Sequence, residues 1–131
     1  MEFKRILRPG GLVALIWNER KDSPFNRDYE AMLERFAPEY RDVRERDRAG
    51  EARLRAFFAP SVPTLTTFGN EQRLDEPGLV GRLMSSSYAP RVGDPRNQPM
   101  LNELASIFRA HARGGEIVIE YETLLWCGPL A

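Results

Sequence analysis

The stretch that most constrains the fold is residues 7–18, LRPGGLVALIWN, which joins a tight turn to an unbroken apolar run. Pro9 cannot continue a helix, and Gly10 or Gly11 can adopt the left-handed backbone that ends one. Residues 12–17 are all apolar, whereas a strand with one wet face alternates apolar and polar side chains. The run therefore predicts a strand covered on both faces, as in a parallel sheet, yet few residues precede it that could supply its neighbours.

The rest of the chain predicts helices separated by two further strands. Ser23 before Pro24 is typical of a helix start, and Asp75 can cap a second helix. Residues 64–74 are rich in β-branched and aromatic side chains and predict a strand. The final predicted strand covers residues 116–127, where apolar and acidic side chains alternate, as in an antiparallel strand with one wetter face. We predict a further helix between these strands, and the fold class is α/β.

Composition excludes several classes of function. The chain has 131 residues, enough for one domain at most, and its formal net charge is zero, so charge suggests neither a nucleic-acid partner nor an anionic membrane. Cys127 is the single cysteine, which excludes an internal disulfide and a thiolate metal cluster, and we expect it to be a small buried residue. No apolar run approaches the ~20 residues of a membrane span, and no signal-peptide pattern is present. We therefore expect a cytoplasmic protein.

Three segments carry a resemblance to one family. Residues 7–18 resemble the turn and fifth strand of class I S-adenosylmethionine-dependent methyltransferases, where a helix ends in a Leu-Lys/Arg-Pro-Gly-Gly turn before this strand. Residues 74–88, LDEPGLVGRLMSSSY, look like the segment after strand six in a bacterial small-molecule, or type 11-like, branch. Residues 120–128, EYETLLWCG, resemble the antiparallel seventh strand that ends those proteins. The order and spacing fit over nearly the whole chain.

The resemblance implies that residues 1–131 form a partial domain, the C-terminal, substrate-side half of a Rossmann-like methyltransferase sheet. It would contain strands five, six and antiparallel seven with inserted helices. Strands one to four, with the glycine-rich loop and the acidic residue that hold S-adenosylmethionine, are expected upstream, because no Gly-x-Gly-x-Gly turn follows a strand here. The full-length enzyme would methylate a small molecule, and this chain alone would be inactive, with no catalytic or cofactor-binding residue of its own.

The resemblance also implies substrate-binding residues. Trp17 and Asn18 end the first predicted strand, at the edge of α/β sheets where ligands gather, although a core aromatic and a turn asparagine are equally good interpretations. Ser87 and Tyr88 end a helix that would line the substrate pocket. The alternative is a plain helix end with exposed hydroxyls, and the serines are unconvincing nucleophiles because no base is adjacent.

Other polar residues favour structural interpretations. His111 falls on the apolar stripe of its predicted helix, so a core or boundary histidine is a better interpretation than a catalytic base. Arg20 and Arg91 could contact an acidic substrate, but two solvated arginines are the preferred interpretation. Glu120 and Glu122 share one strand face and indicate solvent-facing charge rather than an acid/base pair.

A second hypothesis belongs to a different class of function. The chain could be a binding or assembly module that kept this half of the fold, lost catalysis and buries the edge of its first strand against a second copy. An unpaired hydrophobic strand edge promotes association. We therefore expect the isolated chain to form a homodimer, to exchange elements or to aggregate. An active enzyme with an unfamiliar cofactor site has no support in the sequence.

Overall fold

The structure is a computed structural model that describes residues 2–48 and 50–130, with the side chains of residues 45–48 left out of the description. Helices and strands alternate irregularly along the chain. In order they are α1 (Glu2–Ile6), β1 (Leu12–Arg20), α2 (Pro24–Phe36), α3 (Tyr40–Arg48), α4 (Gly50–Phe58), β2 (Thr64–Leu74), α5 (Glu76–Met84), α6 (Asn97–His111) and β3 (Ile117–Pro129). The fold is therefore mixed α/β, as predicted.

The three strands form an open sheet in the order β1-β3-β2, with β3 antiparallel to both neighbours. Leu12 pairs with Pro129 and Arg20 with Tyr121, while Thr64 pairs with Cys127 on the other side of β3. Because β3 runs against both strands, β1 and β2 point in the same direction. The predicted antiparallel last strand and the predicted strand at 64–74 are both confirmed.

One prediction about β1 is wrong within the described residues. The apolar run 12–17 was expected to be covered on both faces, but β1 lies at the edge of the sheet and alternates in burial. Val13 is buried, whereas Leu12 and Ile16 are each 64 % exposed. The run is continuous because both of its faces are apolar, and only one of them is packed. The outer edge of β1 is open among the residues that the structure describes.

Two apolar cores lie on opposite faces of the sheet, and β3 serves both. Its first half buries Ile117, Ile119 and Tyr121 against α2, α5 and α6, and we call this side the Tyr121 face. Its second half buries Leu124 and Trp126, which point to the other side, the Trp126 face, against α4. Neighbouring side chains on a strand point to opposite faces. Because Tyr121 and Leu124 are both buried, β3 changes the face that it buries between them, near Thr123.

Both predicted N-cap residues, Ser23 and Asp75, cap helices in the structure. The Ser23 Oγ accepts a hydrogen bond from the Asn26 backbone N–H at 3.0 Å, which caps α2. The Asp75 Oδ1 accepts one from the Gly78 N–H at 2.8 Å and caps α5 in the same way. Both caps satisfy backbone donors that a helix start leaves free. None of the described helices is long and apolar enough to cross a membrane.

Candidate functional site

An open cleft of about 1560 Å³ runs along the sheet and reaches the carboxyl-terminal ends of β1 and β2. It lies where β3 changes its buried face, so both halves of the sheet contribute to its walls. On the Trp126 face the wall has an apolar part, with Glu19 and Glu122 beside it, and the apolar part is formed by Leu15, Trp17, Leu54, Phe57, Leu124 and Trp126. On the Tyr121 face the wall is polar and includes Arg20, Tyr40, Asn70, Gln72, Arg82 and Tyr121. Ligands of open α/β sheets commonly bind at this edge.

Arg20, the last residue of β1, is held under α2 and α3. Its Nη2 donates a hydrogen bond of 2.9 Å to the Tyr40 Oη. The guanidinium carbon lies 5.6 Å from the centroid of the Tyr29 ring and 6.0 Å from that of Tyr40. These distances are within the range of a cation–π interaction, and they fix a half-buried cation at the end of the strand.

Arg82 in α5 lies on the same face. Its guanidinium carbon lies 5.6 Å from the centroid of the Tyr121 ring, and its Nη1 donates to the Gln72 Oε1 at 3.3 Å. The Arg82 Nε is buried and finds no acceptor within the described part of the chain. A buried N–H that lacks an acceptor costs roughly 1–3 kcal/mol, so this group is an unusual feature of the site.

The four tyrosines of the chain all belong to this neighbourhood. The Tyr40 and Tyr88 rings pack with centroids 5.1 Å apart, while Tyr29 and Tyr121 lie beneath the two arginines. Burial raises the pKa of the Tyr29 hydroxyl well above its ordinary value of 10.0, against an opposing effect of the charges on Arg82 and Arg20. Burial also raises the pKa of Tyr40 and of Tyr121. All three are therefore neutral hydrogen-bonding groups at neutral pH.

The structure brings two of the four predicted site residues into the cleft. Trp17 lines it and donates from Nε1 to the Glu19 Oε1 at 3.3 Å, and Asn18 lines it while its Oδ1 accepts from the Thr123 Oγ1 at 2.6 Å. Ser87 is exposed outside the cleft. Tyr88 is half-buried and stands behind the wall, where it supports Tyr40.

The preferred interpretation of Arg20 as a solvated arginine is wrong, because the side chain is packed against Tyr29 and Tyr40. Arg91 is exposed, as expected. Sequence reasoning also missed Arg82 and the convergence of the tyrosines. The one usable signal was the position of Arg20 at the end of a strand, since Arg82 comes from an amphipathic helix whose orientation depends on packing.

Other candidate residues have structural roles. His111 is a boundary residue, as expected: its Nε2 lies 2.6 Å from the Asp28 Oδ2, and its ring packs against Phe25. Cys127 is half-buried on the open side of the sheet rather than fully buried. The Ser85 hydroxyl donates to the Arg82 carbonyl at 2.7 Å, which is typical of a helix end. Among the described residues no group of His, Cys, Asp and Glu could hold a metal ion.

The described residues include no glycine-rich turn of the kind that the resemblance implies for S-adenosylmethionine. A turn that holds such a cofactor lies between the carboxyl end of a strand and the start of a helix, and it is rich in glycine. In residues 2–48 and 50–130 the glycines with left-handed φ are Gly10, Gly93, Gly114 and Gly115, and none of them follows a strand. Asp22, the acid after β1, is exposed and is paired with Arg27 at 3.1 Å.

Comparison with known proteins adds no assignment. No protein-family model matches the chain, and no curated protein matches its sequence. The function is therefore inferred from the geometry of the sheet and the cleft.

Proposed function

We propose that the chain is the substrate-side half of an S-adenosylmethionine-dependent methyltransferase that acts on a small molecule in the cytoplasm. The observation that carries this proposal is the sheet: β1 and β2 point the same way around an antiparallel β3, and the cleft reaches their carboxyl-terminal ends. Strands five and six of a parallel sheet would point the same way, and an antiparallel seventh strand would run against both. Ligand binding at that edge is a general property of such sheets.

The uncovered part of the sheet supports the same proposal. On the Tyr121 face, Leu12 and Ile16 of β1 and Phe68 of β2 are exposed, with half-buried Leu125 between them on β3. The outer edge of β1 carries unpaired backbone groups in the part of the chain that the structure describes. A further strand beside β1, with its helices over these side chains, would cover both features. In the proposal these are the strands that hold the cofactor.

The role of this chain would then be to bind and orient the methyl acceptor. Methyl transfer between bound molecules depends chiefly on alignment and on exclusion of water. The polar groups around Arg20 on the Tyr121 face can supply the alignment, and in the full-length enzyme the upstream half would exclude water from the open cleft. Because no left-handed glycine follows a strand among the described residues, the chain alone is expected to be inactive.

A second candidate function is favoured by the same open edge. A non-catalytic module could bury β1 and the exposed Leu12 and Ile16 side chains against a second copy of the chain, forming a homodimer. The two candidates differ in what covers β1: upstream strands of the same protein in the first, and a second copy in the second.

The test is a transfer assay. The chain is extended in frame by the coding sequence upstream of Met1 and incubated with methyl-labelled S-adenosylmethionine and a low-molecular-weight cell extract. We expect label in a small molecule with the longer protein and none with the 131-residue chain. A longer protein that leaves all of the label on the donor would contradict the proposal.

A further inference from the structure

Two arginines in the cleft form no ion pair within the described part of the chain. Arg20 and Arg82 both line the cleft and both are half-buried, yet neither forms an ion pair with a carboxylate of the described residues. Arg44, which also lines the cleft, shows the usual arrangement: it binds Glu30 at 3.2 Å and Glu34 at 2.9 Å. Since partly buried charges are normally paired, the two unpaired guanidiniums indicate a site for an anion.

Both arginines lie on the Tyr121 face of the sheet. Arg20 pairs directly with Tyr121 in the β1–β3 register, so the two side chains leave neighbouring strands ~5 Å apart on one face. Arg82 lies over the ring of that same Tyr121 at 5.6 Å. Charges on both arginines oppose the rise in the Tyr29 pKa, which is consistent with two cations close to one ring. Arg82 therefore lies over the Tyr121 ring, and Arg20 leaves the neighbouring strand beside Tyr121 on the same face.

None of the described carboxylates that line the cleft forms an ion pair with Arg20 or Arg82. Glu19 and Glu122 adjoin Arg20 and Tyr121 along their strands, so they point to the opposite face of the sheet. Glu30 lies on the arginine side and its charge helps to raise the pKa of Arg20, but its carboxylate is bound by Arg44 and not by Arg20. Glu71 is bound by Arg73 at 2.9 Å. The Tyr121 face of the cleft thus has cationic groups whose hydrogen-bonding capacity is only partly used.

We propose that Arg20 and Arg82 bind a carboxylate of a small polar acid on the Tyr121 face of the cleft. A guanidinium presents a planar fork of donors that matches a carboxylate in two parallel hydrogen bonds. The amides of Asn70 and Gln72 beside them suit a ligand with further polar groups. If the proposed function holds, on which this last step rests, the acid is the methyl acceptor, and the carboxylate fixes its position in the cleft.

The test is a titration of the 131-residue chain with succinate, followed by calorimetry and by the side-chain Nε–H signals of arginine in NMR spectra. Succinamide, the neutral counterpart of similar shape, is the matched ligand control. We expect succinate to bind and to shift the Arg20 and Arg82 signals, and succinamide to do neither. Arg20→Gln and Arg82→Gln should each weaken succinate binding about tenfold or more. Arg91→Gln, an exposed arginine outside the cleft, should leave it unchanged.

Several results would overturn the inference. One is equal binding of succinate and succinamide, and another is an equal loss in all three arginine variants. Inorganic phosphate that binds through Arg20 more tightly than succinate would make this a phosphate site instead. Arg20→Lys keeps the charge without the planar fork, so it separates a folding defect from a lost contact: the fold should stay intact by circular dichroism while affinity falls. Because no methyl donor is present, the result is independent of the proposed transfer activity.

Discussion

The Arg20 guanidinium donates a hydrogen bond of 2.9 Å to the Tyr40 hydroxyl, which joins the last residue of β1 to the first residue of α3. The two residues are twenty positions apart, and α2 lies between them in the chain. Their contact closes the polar end of the cleft and sets the position of the cation that faces it. Tyr88 packs behind Tyr40 and supports the same contact.

Removing the Tyr40 hydroxyl should weaken the contact between β1 and α3. We expect Tyr40→Phe to lower the free energy of unfolding by about 1–2 kcal/mol, because a half-buried hydrogen bond to a charged group is lost while the ring stays in place. Urea unfolding measures the change. Tyr88→Phe is the matched control, since its ring packs on Tyr40. An equal loss in both variants would show that the hydrogen bond to Arg20 contributes nothing specific.

Stability should fall in alkaline solution because of Tyr29. Burial raises the pKa of Tyr29 in the folded protein above its ordinary value of 10.0, so between the two values the folded state holds a proton that the unfolded state has released. The stabilising effect is complete below about pH 10 and is lost as the pH rises towards the folded pKa. Urea unfolding at about pH 9 and about pH 11 should show the loss. Tyr29→Phe should reduce it, and an unchanged slope would contradict the burial of this hydroxyl.

The packing of α2 against α6 can be tested with a pair of leucines. Leu33 in α2 is fully buried in the core on the Tyr121 face, whereas Leu65 in β2 is 44 % exposed. We expect Leu33→Ala to cost about 2–5 kcal/mol of unfolding free energy, because it leaves a cavity. The same substitution at Leu65 should cost much less. Thermal or urea unfolding measures the loss of unfolding free energy in both variants. Similar losses would show that α2 does not cover this face.

The open edge predicts self-association. We expect light scattering to show species larger than the 15.0 kDa monomer, increasing with concentration. Ile16→Lys places a charge on the exposed face of β1 and should shift the chain towards monomer. Val92→Lys, at a still more exposed apolar residue in a loop, should not. A wild-type chain that stays monomeric at all concentrations would show that neither the edge nor its apolar face drives association.

Local chemistry made most of the elements predictable. Ser23 and Asp75 cap helices as expected, and the strand predicted at 64–74 matches β2. These features depend on side-chain to backbone hydrogen bonds and on short-range patterns. The start of the further helix that carries His111 was not predictable: it begins at Asn97, where the N-cap residue Arg96 makes no side-chain cap and leaves no local signal.

Long-range packing was harder to predict. The apolar run at residues 12–17 cannot reveal whether one or both of its faces are covered, and Ile16 is exposed. In the cleft, Arg20 and Tyr121 are a hundred residues apart and meet only through the register of β1 with β3. Arg82 belongs to α5, whose orientation is set by its buried leucines, Leu79 and Leu83. No local pattern contains these relationships.

Cofactor binding tests most directly the proposal that this chain is the substrate-side half of a methyltransferase. Calorimetric titration with S-adenosylhomocysteine is performed on the 131-residue chain and on the chain extended in frame upstream of Met1. We expect no heat of binding with the chain alone and saturable one-to-one binding with the longer protein. Saturable binding by the chain alone would contradict the claim that it is only half of the enzyme. No binding by the longer protein would contradict its assignment as a methyltransferase.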